Sequence, residues 1–276
     1  MCLVLKVSSS SYYNWLRNKT TPQQLKADKI KTAIKTIYYQ YKGRYGSPRI
    51  HCELIVIGYQ VCRQTVAKYM FAMGLKSIVN KKYKICTTDS LHNYLVAENI
   101  LDRQFNTTEP NQAWVSDITY IPTNAGWLFL TIVLDLYDRK IIGWAFSNTM
   151  HTSQTTLKAL GMAKQNRMAW CDKKLIFHSD RGSQYACHEF KHELNQHTNI
   201  VQSMSRKGNC WDNAVAESFF KSLKAELTNH HNYNTMQEAE NSIFEYIECF
   251  YNKTRRHSAL NNQTINEFWN KLKQAA

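Results

Sequence analysis

The chain has 276 residues, 43% of them hydrophobic, which excludes a disordered chain too poor in apolar residues to pack. Its 35 Lys and Arg outnumber 21 Asp and Glu, giving a net charge of +14 and a pI near 9.4, the footprint of a polyanion binder. No apolar run approaches the roughly 20 residues that span a bilayer, and the opening Met-Cys-Leu-Val-Leu-Lys-Val is too short for a signal peptide.

Eight cysteines are present and no two stand in a Cys-x-x-Cys arrangement, so they read as reduced thiols of a cytoplasmic protein. Residues 23–80 read as helical. Leu25, Ile30, Ala33, Ile34, Ile37 and Tyr38 recur at helical spacing, and Gly43 to Pro48 breaks the pattern. Two shorter helices are predicted at about Arg49–Ile57 and Arg63–Met73, separated by Gly58-Tyr59 and closed by Gly74. This is a helix-turn-helix-like pattern. Its second helix carries Arg63, Gln64, Thr65 and Lys68, which face DNA in one reading and solvent in a bundle that serves only as a spacer. Residues 1–80 are thus an N-terminal helical unit. Residues 81–110, with Lys81, Lys82 and Lys84 at their start, read as a basic linker.

From Ala113 the pattern changes to strands. Trp114–Ile121, Trp127–Leu136 and Lys140–Ser147 are rich in β-branched and aromatic residues, with Asp138-Arg139 as a turn. A helix near Thr152–Arg167, a strand at Leu175–His178, a helix at Tyr185–His197, a brief strand at Ile200–Gln202 and a long helix from Trp211 follow. That order is the order of a ribonuclease H-like α/β fold, a mixed five-stranded sheet flanked by helices, placed at 111–227. A last helix at about Thr235–Asn252 leads into Arg255-Arg256-His257, within a helical extension over 228–276.

Three acids stand out: Asp117 in Trp-Val-Ser-Asp-Ile-Thr-Tyr, Asp180 in His-Ser-Asp-Arg-Gly-Ser, and Glu217 in Trp-Asp-Asn-Ala-Val-Ala-Glu-Ser-Phe-Phe. Asp117 falls on the first strand and Asp180 at the carboxyl end of the fourth, where ligands of α/β sheets gather. Glu217 lies early in the last core helix. Hard Mg2+ or Mn2+ ions prefer carboxylate oxygens, and two ions about 3.5–4 Å apart serve both oxygens of a phosphodiester displacement. Lys221 and Lys224 share a helix face with Glu217 and are candidate DNA contacts, although a surface Glu–Lys pair is the plainer account of Lys221. Arg206 and Lys207, in a polar basic loop, and Arg256 are further candidates for phosphate.

Other residues invite competing readings. Asp135 and Asp138 read as turn residues. His188 and His192 lie four apart beside Cys187, but no second pair completes a zinc site, so they read as a surface pair. His178 is placed to orient the Asp180 loop. His257 touches phosphate beside Arg255 and Arg256, or caps the last helix.

The motifs together resemble the second-frame (OrfB) transposase subunit of the insertion sequence 3 family, which shares its core with retroviral integrases. The resemblance runs over nearly the whole chain. It is carried by the opening 1–16, by Tyr45-Gly46-Ser47-Pro48-Arg49-Ile50, and by 111–120. Its most specific stretch is Gln202-Ser203-Met204-Ser205-Arg206-Lys207-Gly208-Asn209-Cys210-Trp211-Asp212-Asn213-Ala214, which runs on into Glu217. Tyr251-Asn252 and Arg256-His257-Ser258-Ala259-Leu260 match the closing motif. The resemblance implies an Asp-Asp-Glu strand transferase with Asp117, Asp180 and Glu217 as ligands of Mg2+ or Mn2+, two ions in all. Lys224 and Lys221 would lie against DNA. It further implies attack on a phosphodiester by water and then by a 3′-hydroxyl, a homo-multimer on double-stranded DNA, and an upstream-frame (OrfA) partner or fusion.

Two departures are visible. The acids at 180 and 217 have 36 residues between them, one more than is usual in the family, and the extra residue falls around His197-Thr198-Asn199. Asn261-Asn262 stands where the family commonly has Gly-Tyr. A metal-dependent nuclease and an inactive, regulatory DNA-binding protein remain as alternatives. The charge alone sets a first expectation: DNA affinity falls steeply as salt rises. A flat salt response in a filter-binding titration would remove the argument from net charge.

Overall fold

The computed structural model describes residues 2–17, 20–79, 94–167 and 173–275. The chain divides into two compact units, Met1–Val79 and Asn80–Ala276. Among the described residues no helix is long and apolar enough to cross a membrane.

The first unit opens with α1, Ser9–Leu16, a helix with no buried residue that sequence periodicity did not anticipate. α2, Pro22–Gln40, starts at a capping box in which Thr21 and Gln24 satisfy each other's backbone N–H, with Pro22 at the first turn. Its buried stripe of Ile30, Ile34 and Ile37 packs against Ile50 and Leu54 of α3, Ser47–Val56, and Val66 and Met70 of α4, Arg63–Ala72. Burial of each such side chain contributes about 1.5–3 kcal/mol, enough for a small three-helix core. Between α2 and α3 the chain turns through Gly43 at φ 71°, where an added Cβ would meet the Tyr38 hydroxyl at 3.1 Å. Arg63, Gln64 and Lys68 lie exposed on α4.

The second unit is built on a sheet of order β3-β2-β1-β4-β5. Its strands are β1, Ala113–Thr123; β2, Gly126–Asp135; β3, Ile141–Ser147; β4, Leu175–Ser179; and β5, Ile200–Met204. β1 to β3 form an antiparallel meander, while β4 joins β1, and β5 joins β4, in parallel. This is the mixed ribonuclease H-like sheet expected from the element order. α5, Thr156–Arg167, crosses one face and seats its backbone on β3. At Gly143 an added Cβ would lie 2.2 Å from the Ala159 carbonyl oxygen and 2.8 Å from the Ala163 nitrogen. Glycine is needed there for close approach, not for turn geometry. Trp114, Val133, Phe177 and Phe190 fill the space beneath.

The expected single helix at 185–197 is two, α6 Ser183–Ala186 and α7 His188–Asn195, split where Cys187 adopts an extended backbone. α8, Ala214–Glu226, is introduced by a 3-10 turn at Cys210–Asn213. The predicted last helix is α9, Met236–Phe244, which widens into a π turn at Glu245–Tyr251. Beyond it lies an unanticipated helix, α10, Ile265–Ala275. Asn252 closes the β3 edge by accepting from the Ile141 N–H at 3.0 Å and donating to its carbonyl at 2.9 Å. Asn261 and Asn262, the departure from Gly-Tyr, both sit at left-handed φ, 54° and 60°, which asparagine tolerates.

The basic linker expected at 81–110 falls partly outside the described residues, as do Lys81, Lys82 and Lys84. Its described part, 94–110, is tied to the sheet. Ile100 and Leu101 donate their N–H groups to Ser203 Oγ, and Leu101 is buried. Asp135 and Asp138 are turn residues as read, but buried ones. They accept from the Tyr137 and Lys140 N–H groups and share Arg167. Burial first, and then the Asp138 charge, push the Asp135 carboxyl up to about 6.

His178 staples β4 to the end of β5: Nδ1 lies 2.9 Å from Ser203 Oγ and Nε2 3.2 Å from Ser205 Oγ. Burial lowers its pKa from 6.5 to about 4. An unfolded histidine takes its proton near 6.5, so the neutral His178 contribution is complete above that pH and is lost as pH falls through about 4. The stability gap between wild type and His178→Asn therefore narrows on going from about pH 7 to about pH 5. Urea titrations at the two pH values check this, and a constant gap would contradict a buried neutral imidazole. For Gly143→Ala the expected cost is about 1–3 kcal/mol, from overpacking against a backbone that cannot yield. An unchanged melting midpoint would show that α5 does not sit so close.

Candidate active site

The parallel pairing of β1 and β4 places two acids side by side. Ser116 pairs with Ser179, so Asp117 and Asp180 each lie one residue beyond a paired position on neighbouring strands, about 4.7–4.9 Å apart in the pairing direction. Side chains alternate along a strand. Asp117 therefore points away from the face on which Ser116 Oγ meets the Tyr185 hydroxyl at 2.7 Å. Asp117 Oδ1 accepts from the Ile118 N–H at 2.9 Å. Asp180 follows directly on β4 and turns back on its own loop, where Oδ1 accepts from the Gly182 N–H at 2.9 Å. A side chain at 182 would crowd that oxygen, its Cβ falling 3.1 Å away.

Glu217 comes from the first turn of α8. The helix is pinned to β1 just beneath Asp117, because Asn213 Nδ2 donates to the Ser116 carbonyl at 3.0 Å. Glu217 is half-buried and pairs with the exposed Lys221 at 3.2 Å.

Electrostatics shows that the three acids share one locality. The Asp117 carboxyl is held well above the usual carboxylate range by burial first, then by the Asp180 charge and, more weakly, by Glu217; the Ile118 N–H and Lys224 oppose this. Lys224, half-buried, is lowered by burial and raised in part by Asp117. Behind the strand, burial raises the Tyr185 hydroxyl, with Asp117 and Asp180 adding to it. Asp180, Glu217 and Lys224 thus all bear on Asp117, and Lys221 sits on Glu217.

Among the described residues, no three His, Cys, Asp or Glu side chains stand close enough to hold a metal ion as they are. The donor chemistry nevertheless fits a divalent cation. The oxygens are hard, the Asp180 and Glu217 charges raise the proton affinity of Asp117, and a cation relieves the repulsion that protonation otherwise relieves.

The other candidates are less uniform. Lys207 is exposed on the loop after β5. Arg206 is half-exposed, but its guanidinium is committed to Asp212 at 2.8 Å and Asp102 at 3.1 Å. Arg256, expected at phosphate, is instead buried and bound to Glu267 of α10 at 3.0 Å and to the Asn262 carbonyl at 2.9 Å. Its neighbour Arg255 is buried against Glu226 at 2.7 Å. His257 Nε2 lies 3.0 Å from the Tyr251 carbonyl, which is the capping role. His188 packs edge-on against Tyr94.

Sequence reasoning passed over Asp212 and Asn213, which look like ordinary N-cap residues. Asp212 is fully buried and ties Arg206, Arg103 and Asn99 together. These contacts push its carboxyl well below the usual range, the Arg206 side chain first. A polar pair set between an acidic motif and a basic loop was the available signal.

Comparison with known proteins places both units in known families. A family described as an integrase core domain matches residues 107–210, a second of the same description matches 198–264, and an HTH-like domain matches 26–83. The chain is 40% identical over 276 residues, the full length of both, to an insertion element IS600 uncharacterized 31 kDa protein of Shigella sonnei. It is 38% identical to the transposase InsF for insertion sequence IS3A of Escherichia coli strain K12, across 98% of this chain and 93% of that one. Among solved structures, the catalytic domain of Mos1 mariner transposase is similar at a TM-score of 0.44 and 10% identity, over 59% of this chain and 76% of that one. With an HTH-like segment followed by an integrase core, and with full-length relatives of this similarity, the chain belongs to the insertion sequence 3 family of transposases.

Proposed function

We propose that this transposase, a polynucleotidyl transferase, works through Asp117, Asp180 and Glu217 as an Asp-Asp-Glu site. The observation that carries the reading is the coupled charge of the three acids, two of them level on adjacent parallel strands. In the proposed reaction a water oxygen attacks phosphorus at the element end. One P–O bond forms, the bond to the 3′-oxygen breaks, and a free 3′-hydroxyl remains. That hydroxyl then attacks a target phosphodiester, again making one P–O bond and breaking one, with no covalent link to the protein.

The three acids would hold Mg2+ or Mn2+, in a pair, which when bound supplies charge stabilisation for the attacking and leaving oxygens. The protein's own residues do the positioning. β1 and β4 fix two acids rigidly. Asn213 holds α8, so that Glu217 reaches the same place. Lys224 brings a partly desolvated positive charge towards Asp117, suited to a phosphate oxygen. Lys221 would exchange Glu217 for DNA when a cation takes the carboxylate.

The extra residue between the second and third acids is compatible with this reading. Only 196–199 join α7 to β5, and β5 keeps an unbroken register with β4. A loop absorbs an insertion that a helix would convert into rotation.

The N-terminal unit would bind double-stranded DNA through α4, with Arg63 and Lys68 on phosphates, and Lys207 would add a contact near the acids. A homo-multimer on DNA and an upstream-frame partner complete the proposal.

Asp180→Asn and Glu217→Gln are each expected to abolish metal-dependent joining of a branched strand-transfer product while leaving nonspecific, salt-sensitive DNA binding within about two-fold, since Lys and Arg supply that affinity. Joining retained in either variant would refute the site. Cutting without joining in the wild type would favour a nuclease.

A further inference from the structure

Trp211 stands in an unusual position. It is 69% exposed, yet it belongs to a turn near the acids that two buried polar residues anchor. The residues after it are fixed: Asp212 is wholly buried among Arg103, Arg206 and Asn99, and Asn213 is bonded to the Ser116 carbonyl beside Asp117. The 3-10 turn Cys210–Asn213 packs against β1, and Glu217 follows on the helix it starts. A tight, pinned turn therefore holds a large apolar ring out in solvent at the edge of the catalytic cluster. Scattered exposed leucines need no explanation. An indole held out by two buried polar anchors does.

The charge around the turn says what kind of contact it offers. Arg103 and Arg206 are both half-exposed, but both are met by Asp212, and Arg206 also by Asp102. Little net charge is left for phosphate there. What the turn presents is an aromatic face with Lys207 close by in sequence. Aromatic faces beside basic side chains bind unpaired nucleic acid by stacking, because every base has a π face.

We propose that Trp211 stacks on an unpaired base of the DNA strand held at Asp117, Asp180 and Glu217, keeping the end of the strand open next to the reacting phosphate. The proposal rests on the strand-transferase reading for its location, but not for its test.

The test uses the full chain in chelator, without catalysis, and short duplexes with a three-base overhang carrying 2-aminopurine. Stacking on indole quenches that fluorophore. Wild type is expected to quench it, Trp211→Phe to retain most of the quenching, and Trp211→Ala to lose it, with overhang affinity falling roughly five- to one-hundred-fold. Replacing the probe base by an abasic site should erase the difference between wild type and Trp211→Ala. Fully paired DNA should bind both proteins alike.

Equal quenching and affinity for wild type and Trp211→Ala would overturn the proposal. So would a loss of affinity that persists on abasic and fully paired DNA, which marks a backbone or structural role. A change in sedimentation of the free chain with DNA binding untouched would also overturn it, and would mark a protein interface instead. The exposed position makes Trp211→Ala a mild change for folding, and a melting curve checks this. A metal-dependent joining assay in parallel separates the two ideas: quenching without joining leaves the stacking intact and sinks the reading of the acids, whereas joining with no Trp211 effect does the reverse.

Discussion

The site depends on one constraint, the parallel pairing of β1 with β4. Parallel neighbours cannot be joined by a tight turn, so the chain between them must cross the sheet, and α5 makes that crossing on the backbone contact at Gly143. Once Ser116 and Ser179 are paired, the level of Asp117 and Asp180 follows without further choice. β5 copies the same register onto the next position, from Leu175 with Ile200 to Ser179 with Met204. The loop after it is then closed by Asp212, and α8 begins where Asn213 meets β1. Position is handed from strand to strand and then to the helix, so that a residue 100 places from Asp117 in sequence reaches its surroundings.

Burial weighs on Asp117, and the charges of Asp180 and Glu217 bear on it while Lys224 opposes them, which shows as a raised proton affinity at Asp117. Elsewhere in the same unit Arg255 meets Glu226, with Tyr246 donating to the same carboxylate at 2.8 Å, whereas Asp135 and Asp138 share the one Arg167 and the Asp135 carboxyl is likewise pushed up. Raised carboxyls gather at functional sites, and structural networks produce them too, as at Asp135, so it is the meeting of three acids from β1, the end of β4 and α8 that sets Asp117 apart.

Much of this was legible in the sequence because it is local. The β-branched runs, the turn at Asp138-Arg139 and the settings of the three acids all lie within a few residues of what they determine, and the observed strands fall close to the expected ones. What was not legible is long-range. Arg255-Arg256-His257 looks like a surface cluster because its acids are distant: Glu226 lies 29 positions before Arg255, and Glu267 lies 11 after Arg256. α1 has no apolar stripe to detect, since it buries nothing. α10 follows two left-handed asparagines inside the stretch read only as a general helical extension, and its anchoring becomes visible when Trp269 donates to Asp138 at 2.8 Å, across 131 positions. The π turn at Glu245–Tyr251 replaces a helix that periodicity continues unbroken.

The buried bond from Arg255 to Glu226 has a consequence for how copies of a mobile element decay. Glu226 is the final residue of α8, the helix that also carries Glu217. Removing one member of a buried ion pair costs about 3–5 kcal/mol, against the roughly 5–15 kcal/mol that holds a whole domain together. A reading frame cut short before residue 255 keeps all three acids but removes Arg255 from its place on the buried Glu226, and removes α10 with it. A shortened copy therefore loses a large part of the margin that keeps α8, and Glu217 with it, in place.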